Sequence, residues 1–199
     1  MKTLLMILLT SFCCPPRIAV VEKWKIEKDS NLYFEGRSNV SSFSCGITEY
    51  LRPDTLCFYR EDLRQPILLV KGGLTINVNR FDCHQQYMNK DLLKTLKANE
   101  CPELKIALQT IGNFSGALKN VKGSVIITLA GITRTMEVDY TVQYIDQNNI
   151  RLQGYRQVLF SDFGLTPPRK LAGLVKVEKQ INVRFQLVLR SLNSSPLNP

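Results

Sequence analysis

The chain has a single histidine, His84, and no Cys-x-x-Cys pair among its six cysteines, so a zinc site of ordinary ligand spacing is absent. It also lacks a Gly-x-Ser-x-Gly elbow, a His-Glu-x-x-His helix and a phosphate-cradling glycine loop. With one imidazole, the usual base-dependent mechanisms are hard to assemble. His84 stands beside Cys83 and in principle activates a thiolate there, but a loop residue next to a disulfide is the simpler reading. Asp82 and Asp91 flank a turn and a helix, where capping and ion pairing account for them better than general acid chemistry. The sequence therefore offers no catalytic residues, no metal ligands and no cofactor motif, and a non-enzymatic protein is expected.

Internal repeats are missing too. Eleven Gly and nine Pro are ordinary frequencies in 199 residues, which excludes collagen-like and low-complexity classes. Beyond the N-terminal segment no window approaches the roughly 18 apolar residues that a membrane-spanning helix needs. Lys and Arg outnumber Asp and Glu by 26 to 17, a formal charge of +9. They are scattered along the chain rather than gathered into a basic stripe, which argues against a nucleic-acid partner and for a solvated surface.

What is present begins with an export signal. Met1-Lys2-Thr3 precedes the apolar run Leu4 to Leu9, a charge followed by about ten apolar residues, too short to span a bilayer. We read residues 1–21 as a signal peptide or lipoprotein-type leader, residues 22–192 as one domain and 193–199 as a tail. Cleavage before Glu22 is one reading, and a lipid anchor on Cys13 or Cys14 is the other. Cys45, Cys57, Cys83 and Cys101 remain, an even number in a chain bound for an oxidising compartment. Two disulfides follow, with three connectivities open.

Period-two alternation dominates the domain. Met136, Val138, Tyr140, Val142 and Tyr144 alternate with Thr135, Glu137, Asp139, Thr141 and Gln143, as on a half-buried strand. The same phase runs through Leu74-Ile76-Val78, Leu104-Ile106-Leu108, Val125-Ile127-Leu129, Ile150-Leu152, Val158-Phe160 and Ile181 to Leu189. Asn31-Leu32-Tyr33-Phe34-Glu35-Gly36 looks like a viral protease site used to remove affinity tags. It alternates like its neighbours, however, and reads as the first barrel strand with Leu32 and Phe34 inward. One stretch, 88–97, has apolar spacings of three and four with Asn89 as a plausible cap, and predicts a helix of eight to ten residues. About eight antiparallel strands, each apolar on one face, must stack or close, and an all-β, extended eight-stranded antiparallel barrel of lipocalin or streptavidin type with one short helix is expected.

With the strands placed, a set of short motifs comes into order. These are Ser38-Asn39-Val40 before Phe43-Ser44-Cys45, Phe81-Asp82-Cys83 before Met88-Asn89-Lys90-Asp91-Leu92, and Thr95-Leu96-Lys97-Ala98 with Pro102. Leu129-Ala130-Gly131-Ile132-Thr133-Arg134 and Asp162-Phe163-Gly164-Leu165 with Pro167-Pro168 complete it. Over about residues 24 to 190 the chain resembles the YceI-like family of exported bacterial proteins, in its cysteine-containing branch. The resemblance implies a periplasmic or secreted barrel, an outer-membrane lipoprotein included. Its interior would hold a polyisoprenoid or similar long lipid for transport, storage or stress protection, and the oligomeric state stays open, a homodimer included. It pairs Cys45 with Cys83, leaving Cys57 with Cys101.

The residues then expected to line the cavity are Leu32, Phe34, Leu74, Ile76, Val78, Leu104, Ile106, Leu108, Val125, Ile127, Leu129, Met136, Val138, Tyr140, Phe160, Val183, Phe185 and Leu187. Arg156, in phase with Val158 and Phe160, is the candidate to meet a lipid head group at the rim. The alternative is a barrel with a packed interior and a structural or protein-interaction role, since inward apolar residues are core by default.

Overall fold

The computed structural model describes residues 21–60, 66–114 and 118–192. The expected leader and C-terminal tail lie outside these residues, as do Cys13 and Cys14. The elements run β1 (Val21–Ile26), β2 (Asn31–Arg37), β3 (Ser42–Ile47), β4 (Thr55–Tyr59), β5 (Ile67–Asn77), α1 (Gln86–Thr95), β6 (Glu103–Gly112), β7 (Leu118–Leu129), β8 (Ile132–Tyr144), β9 (Asn149–Leu159), β10 (Arg169–Lys170), β11 (Val175–Lys176) and β12 (Gln180–Ser191). The stretch that looks like a protease site is thus a strand, the second rather than the first.

The barrel closes in the order β1-β4-β5-β6-β7-β8-β9-β12 and back to β1, eight strands and all antiparallel, as the alternation implied. β12 is longer than either neighbour on its open side. Its residues 182–186 pair with β2 and its residues 189–191 pair with β1. β1 and β2 are therefore two halves of one bent wall strand, and β4 and β3 continue them on the next strand over. Buried Ser30 fills the bend, its hydroxyl accepting the Val188 N–H at 3.0 Å where the ladder would otherwise lose a partner.

The two ends differ. At the base every strand is hydrogen-bonded on both sides. Toward the other end, the mouth, two seams open. β5 pairs with β4 only up to Gly72, so its second half has no strand beside it there. Tyr50, from the β3–β4 connection, begins to close this seam by accepting the Thr75 N–H with its hydroxyl at 3.0 Å, and it also bonds Asp54. Gly72, at φ 113, lies in the irregularity of the β5–β6 ladder between Leu69 and Gly73, at the level where the β4 pairing ends, and a Cβ there would fall 2.2 Å from the Thr55 carbonyl oxygen. The second seam opens where β8 and β9 stop pairing, after Asp139 and Tyr155. A 3-10 helix, Phe160–Phe163, packs there and buries Phe163.

The base half is solid. Trp24, Ile26, Leu56, Phe58, Ile111, Val142, Ile150, Leu152, Leu187 and Leu189 are essentially inaccessible and interlock as one core. Phe58 meets Phe114 edge to face at 5.9 Å, and Tyr140 meets Phe185 likewise at 5.9 Å. Gly154 allows that second contact, because a Cβ there would strike the Phe185 ring at 2.1 Å.

Candidate functional site

Toward the mouth the core gives way to a cavity of about 550 Å³. That lies within the range of roughly 300–1,000 Å³ usual for small-molecule sites. Of the residues expected on its wall, Leu32, Phe34, Leu104, Ile106, Ile127, Leu129, Phe160 and Val183 are there. Leu74, Ile76, Val78, Leu108, Val125, Val138, Tyr140 and Leu187 are buried in the packed core instead, and Met136 and Phe185 pack against it. Burial pushes the Tyr140 phenol well above its ordinary range, and its hydroxyl has no hydrogen-bond partner.

Arg156 is corrected as well. It pairs in register with Val183, so it keeps the inward phase, but it is exposed and not on the cavity wall. β9 has already parted from β8 at that point, and the side chain ends in solvent instead of under a neighbouring strand.

Sequence reasoning missed much of the rest of the wall, most of which comes from irregular segments and from the helix, with Val158 and Ile181 added from β9 and β12. α1 lays Met88 and Leu92 over the mouth, with Leu96 at its C-cap, and Phe81, Phe163, Leu165 and Ile181 are among the further apolar residues of the lining. Spacings of three and four marked these helical positions as one face, but not what that face covers. Asn89 is not the helix cap, a position taken by Gln85 without a side-chain bond. Its amide reaches back instead, accepting the Cys83 N–H at 2.7 Å and donating to Asp82 at 2.9 Å.

The disulfide joins Cys45 on β3 to Cys83 on the loop before α1, and both half-cystines line the cavity. With the backbone exchange between Gly46 and Asp82, it ties β3 to the loop after β5 across the first seam. His84 beside it is exposed and faces Asp82 at 3.6 Å. No thiolate stands there for it to activate, since Cys83 is bonded. The second expected pair does not form, and Cys57 and Cys101 are free thiols. Cys57 lies opposite Lys71 on β5, whereas Pro102, next to Cys101, accepts the Val78 N–H. Seven strand residues separate those levels, about 23 Å, far beyond disulfide reach.

Among the described residues Asp91 and Lys170 are the only Asp, Glu, Lys or Arg on the cavity wall, and they pair at 2.5 Å on the rim. The rest of the wall is mainly apolar. A larger concavity of about 690 Å³ lies elsewhere, on the outer face of β7, β8, β9, β12 and β2. Its polar groups bond one another across strands, as in Gln153 to Gln186 at 3.1 Å and Thr141 to Asn120 at 2.9 Å. The inner cavity is thus the site suited to an apolar molecule. Among the described residues no group of three or more His, Cys, Asp or Glu is placed to hold a metal ion, and no helix is long and apolar enough to cross a membrane.

A profile of the YceI-like domain matches residues 57–189, two thirds of the chain. The chain belongs to the YceI-like family. Its fold is shared by a polyisoprenoid-binding domain from Saccharophagus degradans, implicated in plant cell wall breakdown, at 15% identity and a TM-score of 0.59 over 84% of this chain and 98% of that one. BcnA of Burkholderia cenocepacia aligns at 18% identity and a TM-score of 0.60, covering 80% and 95% of the two chains. A YceI protein of Campylobacter jejuni follows at 15% identity and 0.50, over 68% and 74%. At these identities the likeness establishes the fold of this YceI-like protein, not its ligand. No curated protein matches the chain by sequence.

Proposed function

We propose that this YceI-like protein is exported by its leader, residues 1–21, and that its barrel domain, residues 22–192, holds a long apolar lipid of the polyisoprenoid or fatty type for transport, storage or protection in the cell envelope. It does so without catalysing a reaction. The observation that carries this reading is the 550 Å³ apolar cavity under α1, with its one ion pair at the rim. Each methylene placed there gains about 0.8 kcal/mol, and the Asp91–Lys170 pair offers a head group a polar contact at the mouth. The polyisoprenoid-binding domain of Saccharophagus degradans, which has the same fold, supports the ligand class. The disulfide suits an oxidising, periplasmic or extracellular setting. The packed-interior alternative accounts for the base half of the barrel and leaves the cavity without a role.

Organic extraction of the purified protein followed by mass spectrometry tests the reading. A co-purified long-chain lipid is expected, as is uptake of farnesol or palmitate by delipidated protein. Absence of both would overturn it.

A further inference from the structure

Three segments rim the cavity mouth: the turn 38–41 between β2 and β3, the helix α1, and a flap at 169–179 that carries β10 and β11. The flap is tied to the other two. The Asn39 amide donates to the Leu174 carbonyl and accepts the Lys176 N–H, each at 2.8 Å, and Lys170 reaches Asp91 of α1 at 2.5 Å.

The outer surface of this rim is unlike the rest of the molecule. Among the described residues the four most exposed large apolar side chains are Leu174 at 74%, Leu171 at 71%, Val40 at 66% and Tyr87 at 64%, and all four stand on it. The flap tip keeps two of them there at a conformational cost, with Leu171 at φ 50 and Ala172 at φ 53. Non-glycine residues hold such angles where the surroundings impose them, often at functional surfaces. The fold also gathers charge that looked scattered in sequence. Arg37 beside the turn, Lys90 and Lys94 of α1, and Arg169, Lys170, Lys176 and Lys179 of the flap, all exposed, stand against Glu178 and against Asp91, which pairs with Lys170, so +5 of the net +9 sits on this rim.

We propose that this rim docks on an anionic lipid bilayer. Leu171, Leu174, Val40 and Tyr87 enter the boundary between headgroups and acyl chains, and the basic residues meet lipid phosphates, the pairing of apolar insertion with positive charge that makes interfacial binding stable. A second copy of the chain is the poorer occupant, because its own rim would present the same positive charge. Docking sets the cavity mouth against the membrane, so an apolar ligand passes between bilayer and barrel without crossing water. That purpose rests on the proposed lipid cavity, but the docking itself does not.

Flotation of the protein with phosphatidylcholine vesicles, with and without phosphatidylglycerol, tests the proposal. Binding is expected only with phosphatidylglycerol and weakens as salt is added. Leu171→Ser with Leu174→Ser weakens it at least about tenfold, and Arg169→Gln and Lys176→Gln about fivefold each. These exposed substitutions leave the melting temperature and any extracted lipid unchanged. Equal binding to both vesicle types, no vesicle binding, indifference to the leucine changes, or a concentration-dependent dimer abolished by them would each overturn docking. A protein that carries no lipid yet floats through these residues refutes the cavity reading and leaves docking standing. A lipid-loaded protein that ignores vesicles does the reverse.

Discussion

Removing the Cys45–Cys83 bond tests how the mouth end is held. The bond closes a loop between residues 38 positions apart, and in the chain-entropy account a loop of that length stabilises the fold by about 4 kcal/mol. For a domain of this size that converts to a melting-temperature loss of roughly 8–16 °C. The structure makes the loss uneven as well. Among the described residues β3 pairs only with β2, and beyond the disulfide just the Gly46–Asp82 exchange links it across the seam. The double variant Cys45→Ala/Cys83→Ala should melt in the stated range below the parent. Its amide exchange should rise in β3 and at 81–85 and stay unchanged in β7 and β12. Adding a dithiol to the parent should reproduce the shift and should leave the double variant unaffected, which separates this bond from the free thiols of Cys57 and Cys101. A loss below about 2 °C, or an equal dithiol effect on the double variant, would refute the assignment of mouth-end stability to this tie.

Other tests follow from the division between base and mouth. Val183→Trp places a large ring on the cavity wall and should keep the protein folded while abolishing lipid uptake. Val138→Trp, in the packed core, should cost about 1–3 kcal/mol or more by overpacking, and both are read by thermal melts and lipid extraction. Glu22, on β1 at the base, has its carboxyl pKa raised from the ordinary value of 4.5, chiefly by burial and against the opposing pull of Arg60. Its raised value in the fold means that the stability it supports is present below about pH 4.5 and falls as pH rises through the folded pKa. Glu22→Gln should therefore melt higher than the parent at pH 7, and the difference should disappear in acid. A gap that persists unchanged at low pH would count against this.

The alternation of apolar residues was enough to read an eight-stranded barrel, because half-buried strands write their inward face at every second position. It could not divide the interior. Leu74 and Ile106 are cross-strand partners of the same phase, yet Ile106 lines the cavity and Leu74 does not. What separates them is where neighbouring strands stop pairing, a property of three dimensions that no single strand records. Arg156 went astray for the same reason, since its phase is inward but its neighbouring strand has left. The resemblance that paired Cys45 with Cys83 drew on motifs now seen on the two sides of a seam. Cys57 and Cys101 are only the pair that this leaves, and the strand registers keep those thiols apart. The helix was legible by its spacing, whereas Asn89 looked like a cap because nothing in the spacing shows that the loop six and seven residues before it folds back onto its amide.

The two seams carry a consequence for motion. A ring hydrogen-bonded on every side can admit a guest only by breaking its ladder, whereas a ring interrupted at two places can spread by letting a plug slide. In this barrel the 3-10 helix at Phe160–Phe163 fills the second seam without a covalent tie, whereas the Cys45–Cys83 bond clamps the first. Any spreading of the mouth is thereby confined to the side where β8 and β9 part, while the base, paired on both sides of every strand, keeps the strand order.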